Sequence, residues 1–215
     1  MPAAPQAKAK QTRREILAHA LDLASVEGLG GLTIGRLATA TNLSKSGLFA
    51  HFGSKEDLQL AVVEAAREVF VRKVLDGHED GTAGLSRLLH LSLAWTNYVA
   101  EGAFRGGCFF AAASSEVDDR PGRVRDLVVR LTGQWLAQLE FHAEEAIDQG
   151  QFVPDCDAAL VAFEIHAFVQ EANWAFQLHG RSEAFDLARR AIGRAIRSVA
   201  TASGRVLLGA ERFLA

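Results

Sequence analysis

The stretch TIGRLATATNLSKSGLFAHFGSKE, residues 33–56, decides how this chain is to be read. Thr33 stands just before a short run with Ile34, Leu37 and Ala38 at helical spacing, where a hydroxyl can accept an unpaired N–H of the first helical turn. The run ends at Thr41-Asn42, and asparagine tolerates the left-handed backbone that a tight turn demands. Ser44 is placed to cap a second helix of about two turns. After Gly53, Ser54 followed by Asp57 resembles a capping box with Asp in the Glu position, opening a helix expected from Lys55 to about Asp76.

Two short helices about a tight turn acquire a function through their outward residues. A helix that enters the major groove of a duplex must present small or polar side chains so that its backbone can sit deep. Ser44, Lys45, Ser46 and Gly47 meet that need, while Leu48 and Phe52 supply buried anchors. Helix N-termini offer free N–H groups and a positive dipole end to phosphates. Thr33, Ser44 and Ser54-Lys55 would provide three such ends, with His51 and Lys55 adding side-chain donors. The same helix pair occurs in all-α proteins that never touch a nucleic acid, so geometry alone leaves both readings open.

The remaining composition constrains more than it reveals. The chain has 215 residues, 49% hydrophobic and 23% charged, with only four prolines, so long uninterrupted helices are permitted. No run approaches the ~20 apolar residues of a membrane span. The polar, basic N-terminus MPAAPQAKAKQTRRE lacks the apolar core of a secretory signal, and residues 1–11 are expected to be a disordered tail. Cys108 and Cys156 lie outside any CxxC spacing, which fits a reducing cytoplasm. Net charge is −3, yet residues 1–60 hold seven Lys/Arg against five Asp/Glu, and residues 61–215 hold 16 against 21. Phosphate binding depends on the local balance, which is mildly positive where the short helices lie.

Residues 12–27 carry Ile16, Leu17, Ala20, Leu21, Leu23 and Ala24 at helical period, and Gly28 is a natural stop. Beyond residue 76, Gly and Asp clusters separate amphipathic segments at about 83–101, 105–117, 121–149, 157–178 and 182–203. No useful alternating strand pattern appears, so the fold class is all-α with about nine helices. Segment 158–178 is apolar nearly all round and must be covered on more than one face. Within it His166, Gln170, Asn173 and Gln177 form one polar stripe, which orients a ligand or crosses a subunit interface. Trp95, Phe109, Trp135 and Trp174 either line an apolar pocket or pack as ordinary core. Cys108, within a turn of Arg105, is either a thiol sensor or a plain buried residue. The scattered histidines show no metal spacing, and neither a nucleophile elbow, a phosphate loop nor a paired-carboxylate site appears. No metal, cofactor or enzymatic activity is therefore expected.

Residues 12–62 resemble the N-terminal domain of the TetR/AcrR family of transcriptional regulators. The resemblance rests on Arg13, Ile16-Leu17, Ala20, Gly28, Thr33, Leu37-Ala38, Leu43-Ser44, Leu48-Phe49, His51-Phe52 and Ser54-Lys55-Glu56. Asn42 stands where the family usually has Gly. Phe49 stands where it usually has Tyr, and so lacks a hydroxyl that commonly reaches a phosphate. The resemblance implies a helix-turn-helix domain over 12–62, its last helix continuing to about 76, and a ligand-binding and dimerisation domain over 77–215. By the same resemblance Ser44, Lys45, Ser46 and Gly47 face the major groove of double-stranded DNA, with Lys45 the best candidate for a base contact. Thr33, His51 and Lys55, with Phe49 in the position of the lost contact, position the phosphates. Trp95, Cys108, Phe109, Trp135, His166, Gln170, Asn173 and Trp174 are the candidate ligand residues. The last two long helices would form a homodimer matched to a pseudo-palindromic operator. The implied function is a repressor released by a small, largely apolar effector. Two alternatives stand beside it: a repressor that senses electrophiles or oxidants through Cys108, and a helical carrier or enzyme without DNA binding.

Overall fold

The computed structural model describes residues 3–76 and 83–210. Among the described residues ten α-helices occur and no strand. They are α1 (Ala3–Gly31), α2 (Ile34–Thr41), α3 (Lys45–Phe52), α4 (Lys55–Phe70), α5 (Gly84–Ala100), α6 (Phe109–Val117), α7 (Arg123–Asp148), α8 (Ala158–His179), α9 (Ala184–Val199) and α10 (Ala202–Ala210). α4 is followed by a π-helical turn over Val71–Leu75, where Asp76 N donates to Val71 O at 2.8 Å.

The chain divides into two compact units. One holds the residues up to Val69 together with Phe104–Arg130; the other holds Phe70–Ala103 together with the residues from Leu131 onward. This differs from the linear division at residue 76 expected from the sequence. The reason is physical. α6 is built against α1: Gly106 lies so close that a Cβ there would come 1.5 Å from the Ser25 carbonyl oxygen. The Arg105 guanidinium grips Asp22 through two hydrogen bonds of 2.8 and 2.6 Å, holding that carboxyl below its ordinary pKa.

Three further boundaries differ from expectation. α1 begins at Ala3, so residues 3–11 are helical rather than a tail. α6 begins at Phe109 with Cys108 at its N-cap, rather than near residue 105, because Gly106 is used in the close approach to α1 and Gly107 takes a left-handed φ of 80°. The expected helix over 182–203 is two, α9 and α10. Between them Ala200 forms an antiparallel bridge with Phe152, and Val153 N and Thr201 N donate to Val199 O and Gln151 O, each at 2.9 Å. Leu208 is buried and Val206 is exposed, while residues 211–215 lie outside the described residues.

In the first unit Ile16, Ala20 and Ala24 of α1 and Leu37, Leu48, Phe52, Leu58, Val62 and Ala66 of α2, α3 and α4 are all buried and form its apolar core. In the second, α5 is buried along most of its circumference, with Leu85, Leu88, Leu91, Trp95, Tyr98 and Val99 all at or below 2% exposure. Ala83 gives α5 no capping side chain, and its first N–H groups go instead to Glu145 and Gln151, from Gly84 N at 3.2 Å and Leu85 N at 2.8 Å. α8 and α9 form a hairpin turned by Gly180, which takes the left-handed conformation at φ 67°. Replacing Gly106 by Ala forces a backbone displacement between α1 and the loop entering α6. Urea denaturation of Gly106→Ala is expected to show a loss of about 3 kcal/mol, whereas Gly133→Ala, inside α7 with open space around it, should gain about 0.5–1 kcal/mol.

Candidate nucleic-acid interface and aromatic cage

Every cap read from the sequence around residues 33–57 forms. Thr33 Oγ1 accepts from Arg36 N at 3.3 Å, and Ser44 Oγ accepts from Gly47 N at 3.0 Å. Asn42 is the one described non-glycine residue with positive φ (53°), and Leu43 N donates to Ala38 O at 3.0 Å, closing a Schellman-type end to α2. Ser54 Oγ accepts from Asp57 N at 3.0 Å and donates to the Asp57 carboxylate at 2.6 Å. Asp57 therefore reciprocates through the Ser54 hydroxyl rather than through its N–H, because Ser54 N is taken by Phe52 O at 2.8 Å. The Ser54 and Arg123 hydrogen bonds hold the Asp57 carboxyl below its usual range.

α3 buries Leu48 and Phe52 and turns Lys45, Ser46, Phe49 and Ala50 to solvent, the i, i+1, i+4, i+5 set of one helix face. Lys45 is exposed and its ammonium is unpaired among the described residues. Phe49 is 47% exposed, an apolar ring on an otherwise small and polar face. Gly47 lies on the flank instead: it is half-buried, its N–H belongs to Ser44, and a Cβ there would meet Ser44 Oγ at 3.2 Å. Ala50 takes the outward place, as helical period from Lys45 and Ser46 indicates. Thr33 and Lys55 are exposed and His51 is half-buried.

Several of these groups have a structural task as well. Lys55 Nζ donates to Gly30 O at 2.9 Å, closing the end of α1. The His51 carbonyl accepts from Arg13 Nη1 at 2.8 Å, and the Arg13 guanidinium lies 4.3 Å from the centroid of the Phe52 ring. Arg13 thus pins the last turn of α3 to α1 with a cation at a helix C-terminus. Glu116 on α6 is the residue that sequence reading missed. α1 is interrupted at Gly28 (φ 77°, ψ 167°), and the Glu116 carboxylate accepts from Leu29 N and Gly30 N, each at 2.6 Å. A lone glutamate 86 residues distant carries no sequence signal for this contact.

The second unit brings part of the predicted ligand set together. Trp95 and Trp135 meet edge-to-face with centroids 5.2 Å apart, and His166 stacks on Trp95 at 5.2 Å. Phe70 meets both Tyr98 and Trp135 edge-on at 5.5 and 5.1 Å. Gln170 Nε2 lies 3.4 Å from His166 Nε2, and burial pushes the His166 imidazolium towards its neutral form. Asn173 follows on the same helix, half-buried. Trp174 does not join them. It is 52% exposed and edge-on to His179, on the face adjoining the His166 stripe, because helical period carries it round with Leu160, Phe163 and Leu178, away from the buried Ile165, Val169 and Ala172. Cys108 and Phe109 belong to the first unit, where Phe109 packs on Phe104 and Phe110. Cys108 is 2% exposed, so the solvent access that a thiol sensor requires is missing.

Residues 16–62 match the model of bacterial regulatory proteins of the tetR family, and residues 84–192 match the tetracyclin repressor-like C-terminal domain. The chain belongs to the TetR family of transcriptional regulators. It is a helix-turn-helix DNA-binding regulator, and α2 and α3 are its helix pair. It is 27% identical over 131 residues to the HTH-type transcriptional regulator TcmR of Streptomyces glaucescens, a match covering 60% of this chain and 58% of that protein's length. A TetR transcriptional regulator from Chloroflexus aurantiacus superposes with a TM-score of 0.76 at 25% identity, over 88% of this chain and 94% of that one. The fold is shared with AibR, solved in complex with isovaleryl coenzyme A and operator DNA, at a TM-score of 0.70 and 23% identity over 85% of this chain and 97% of AibR.

The Glu116 clamp is open to a direct test. Glu116→Ala leaves two backbone donors without their acceptor, and thermal or urea unfolding should show a loss of about 1–3 kcal/mol. Glu116→Gln keeps the size and one acceptor oxygen and should fall between.

Proposed function

We propose that this protein is a homodimeric repressor whose α3 helices enter successive major grooves of a pseudo-palindromic operator and leave it when a small, largely apolar effector binds the second unit. The observation that carries the reading is the outward face of α3, where Lys45 is unpaired and its neighbours Ser46 and Ala50 are small. Lys45 contacts a base edge, Ser44 and Ser46 line the groove, and Thr33, His51 and Lys55 position the flanking phosphates. The two recognition helices then read half-sites about 34–36 Å apart. Cytoplasmic residence follows from that role; no described helix is long and apolar enough to cross a membrane.

Dimerisation is supported by a row of exposed large apolar side chains along α8. Leu160, Phe163, Trp174 and Leu178 are 52%, 68%, 52% and 63% exposed, and Leu187 of α9 adds 50%. Their spacings of 3, 11 and 4 keep them on one side of the helix, the narrow seam that helix packing between subunits uses. Release by an effector is a population shift, so the effector must bind the DNA-releasing conformer more tightly than the DNA-binding one.

Selection of bound sequences from a random DNA pool supplies the operator for the decisive measurement. Lys45→Ala should weaken that operator by about 1–3 kcal/mol in fluorescence anisotropy, with a smaller effect on unrelated DNA. Phe49→Tyr restores a hydroxyl on the exposed face and should tighten binding by about 1 kcal/mol. Equal loss on all sequences in Lys45→Ala would assign Lys45 to the phosphates. Phe163→Glu places a charge in the apolar row; sedimentation should show a monomer, and operator binding should fall with it.

A further inference from the structure

The two buried indoles of the second unit carry an unmet chemical demand. Trp95 Nε1 and Trp135 Nε1 are both shielded from solvent and both without a hydrogen-bond acceptor among the described residues, in residues only 2% and 9% exposed. An indole N–H is a donor and nothing else, so a second donor cannot satisfy it. A buried donor left unmade costs about 1–3 kcal/mol, and native structures rarely tolerate one without a use. Here two stand side by side, their ring centroids 5.2 Å apart. The same unit shows that the fold can satisfy buried polar groups when they belong to its frame. Ser92 and Thr96, each fully buried on the same helix as Trp95, return their hydroxyls to Leu88 O and Ser92 O at 2.7 Å.

The surroundings of the indoles restrict what can answer them. His166 stacks on Trp95 with its ring plane 27° away, Phe70 meets Trp135 edge-on, and Gln170 lies beside His166. These neighbours are aromatic or neutral, and none brings a fixed charge that would compensate a buried ion. Burial disfavours the charged form of His166 as well.

We propose that this cage recognises a neutral, flat aromatic molecule bearing one or two carbonyl-type oxygens, which accept from Trp95 Nε1 and Trp135 Nε1 while its ring system packs among the indoles. The proposal rests on the reading of the second unit as the effector domain and adds the chemical class of the effector. Acceptor oxygens on an aromatic frame are what the two donors and the ring walls jointly select; a carboxylate or ammonium group on the same frame is disfavoured, since neither the indoles nor Phe70, His166 and Gln170 carry a fixed charge to meet it.

The test uses the intact protein and 9-fluorenone and fluorene, which share one flat carbon frame and differ by a carbonyl. Equilibrium dialysis should show 9-fluorenone binding roughly tenfold more tightly than fluorene, the effect of one well-made hydrogen bond to a buried donor. 9-Fluorenone-2-carboxylate should bind at least as weakly as fluorene. Trp95→Phe and Trp135→Phe retain the ring and lose the N–H, so at least one should bring the fluorenone-to-fluorene ratio close to one while leaving fluorene itself within about twofold. Equal affinity of fluorenone and fluorene for the native protein, a ratio unchanged in both variants, or no binding of either overturns the proposal and leaves the indoles to water. The native-protein comparison stands even where a variant fails to fold. Operator anisotropy on the same samples separates the two readings. Discrimination at the cage without operator release would reject effector control and leave the cage intact; operator binding without discrimination would reject the cage alone.

Discussion

The interruption of α1 at Gly28 exposes backbone groups that must find partners before the helix-turn-helix pair can be held still. An interrupted helix leaves unpaired carbonyls on one side of the break and unpaired N–H groups on the other. In this protein the partners come from elsewhere in the chain. The Glu116 carboxylate takes the N–H groups of Leu29 and Gly30, Lys55 Nζ takes Gly30 O, and Gln59 Nε2 takes Leu29 O at 2.8 Å. Gly28 and Gly30 are needed for this approach, since a Cβ on either would lie 2.5 and 2.7 Å from the Glu116 oxygens. The end of α1 is thereby bolted both to α4 and to α6. Arg13 fastens the middle of the same helix to the end of α3. The recognition helix gains its orientation from these contacts, because a helix of eight residues has little stability of its own.

The same side chains serve structure and prospective recognition, and this explains an asymmetry among the basic residues. Arg36 is paired with Glu27, Arg105 with Asp22, and Arg123 with Glu56 and Asp57. Each neutralises a carboxylate near the DNA-facing unit. Lys45 is left with its charge uncommitted on the outward face of α3. Exposed ion pairs contribute little stability, so the value of these pairs lies more in keeping acidic groups from opposing a phosphate than in holding the fold.

The four caps around residues 33–57 were legible because a cap is a contact between residues at most five positions apart. Thr33, Asn42, Ser44 and Ser54 each act where their spacing places them. Phe49 was legible as a departure from the family pattern, and its exposure agrees with the place of the missing hydroxyl. The second unit was less legible. The polar stripe on α8 did assemble around His166 and Gln170, but Trp174, assigned to the same pocket, faces outward with Phe163. Aromatic content identifies residues able to line a pocket. Which face of an all-round apolar helix meets its own core depends on the neighbouring helices, and α8 is apolar on both sides.

By itself the sequence determined the helical class, the helix-turn-helix pair with its turn and caps, and the chemistry that the pair presents. These are set by steric preferences and hydrogen bonds within a few residues, and by an apolar period that local chain geometry imposes. Tertiary structure alone decided the rest. It joined residues 104–130 to the N-terminal unit, set Glu116 on the break in α1 from 86 residues away, and turned Trp174 out while burying Trp95 and Trp135 with unmet donors. Such outcomes depend on which surfaces meet when the helices pack, and that is a competition among distant segments for the same buried space.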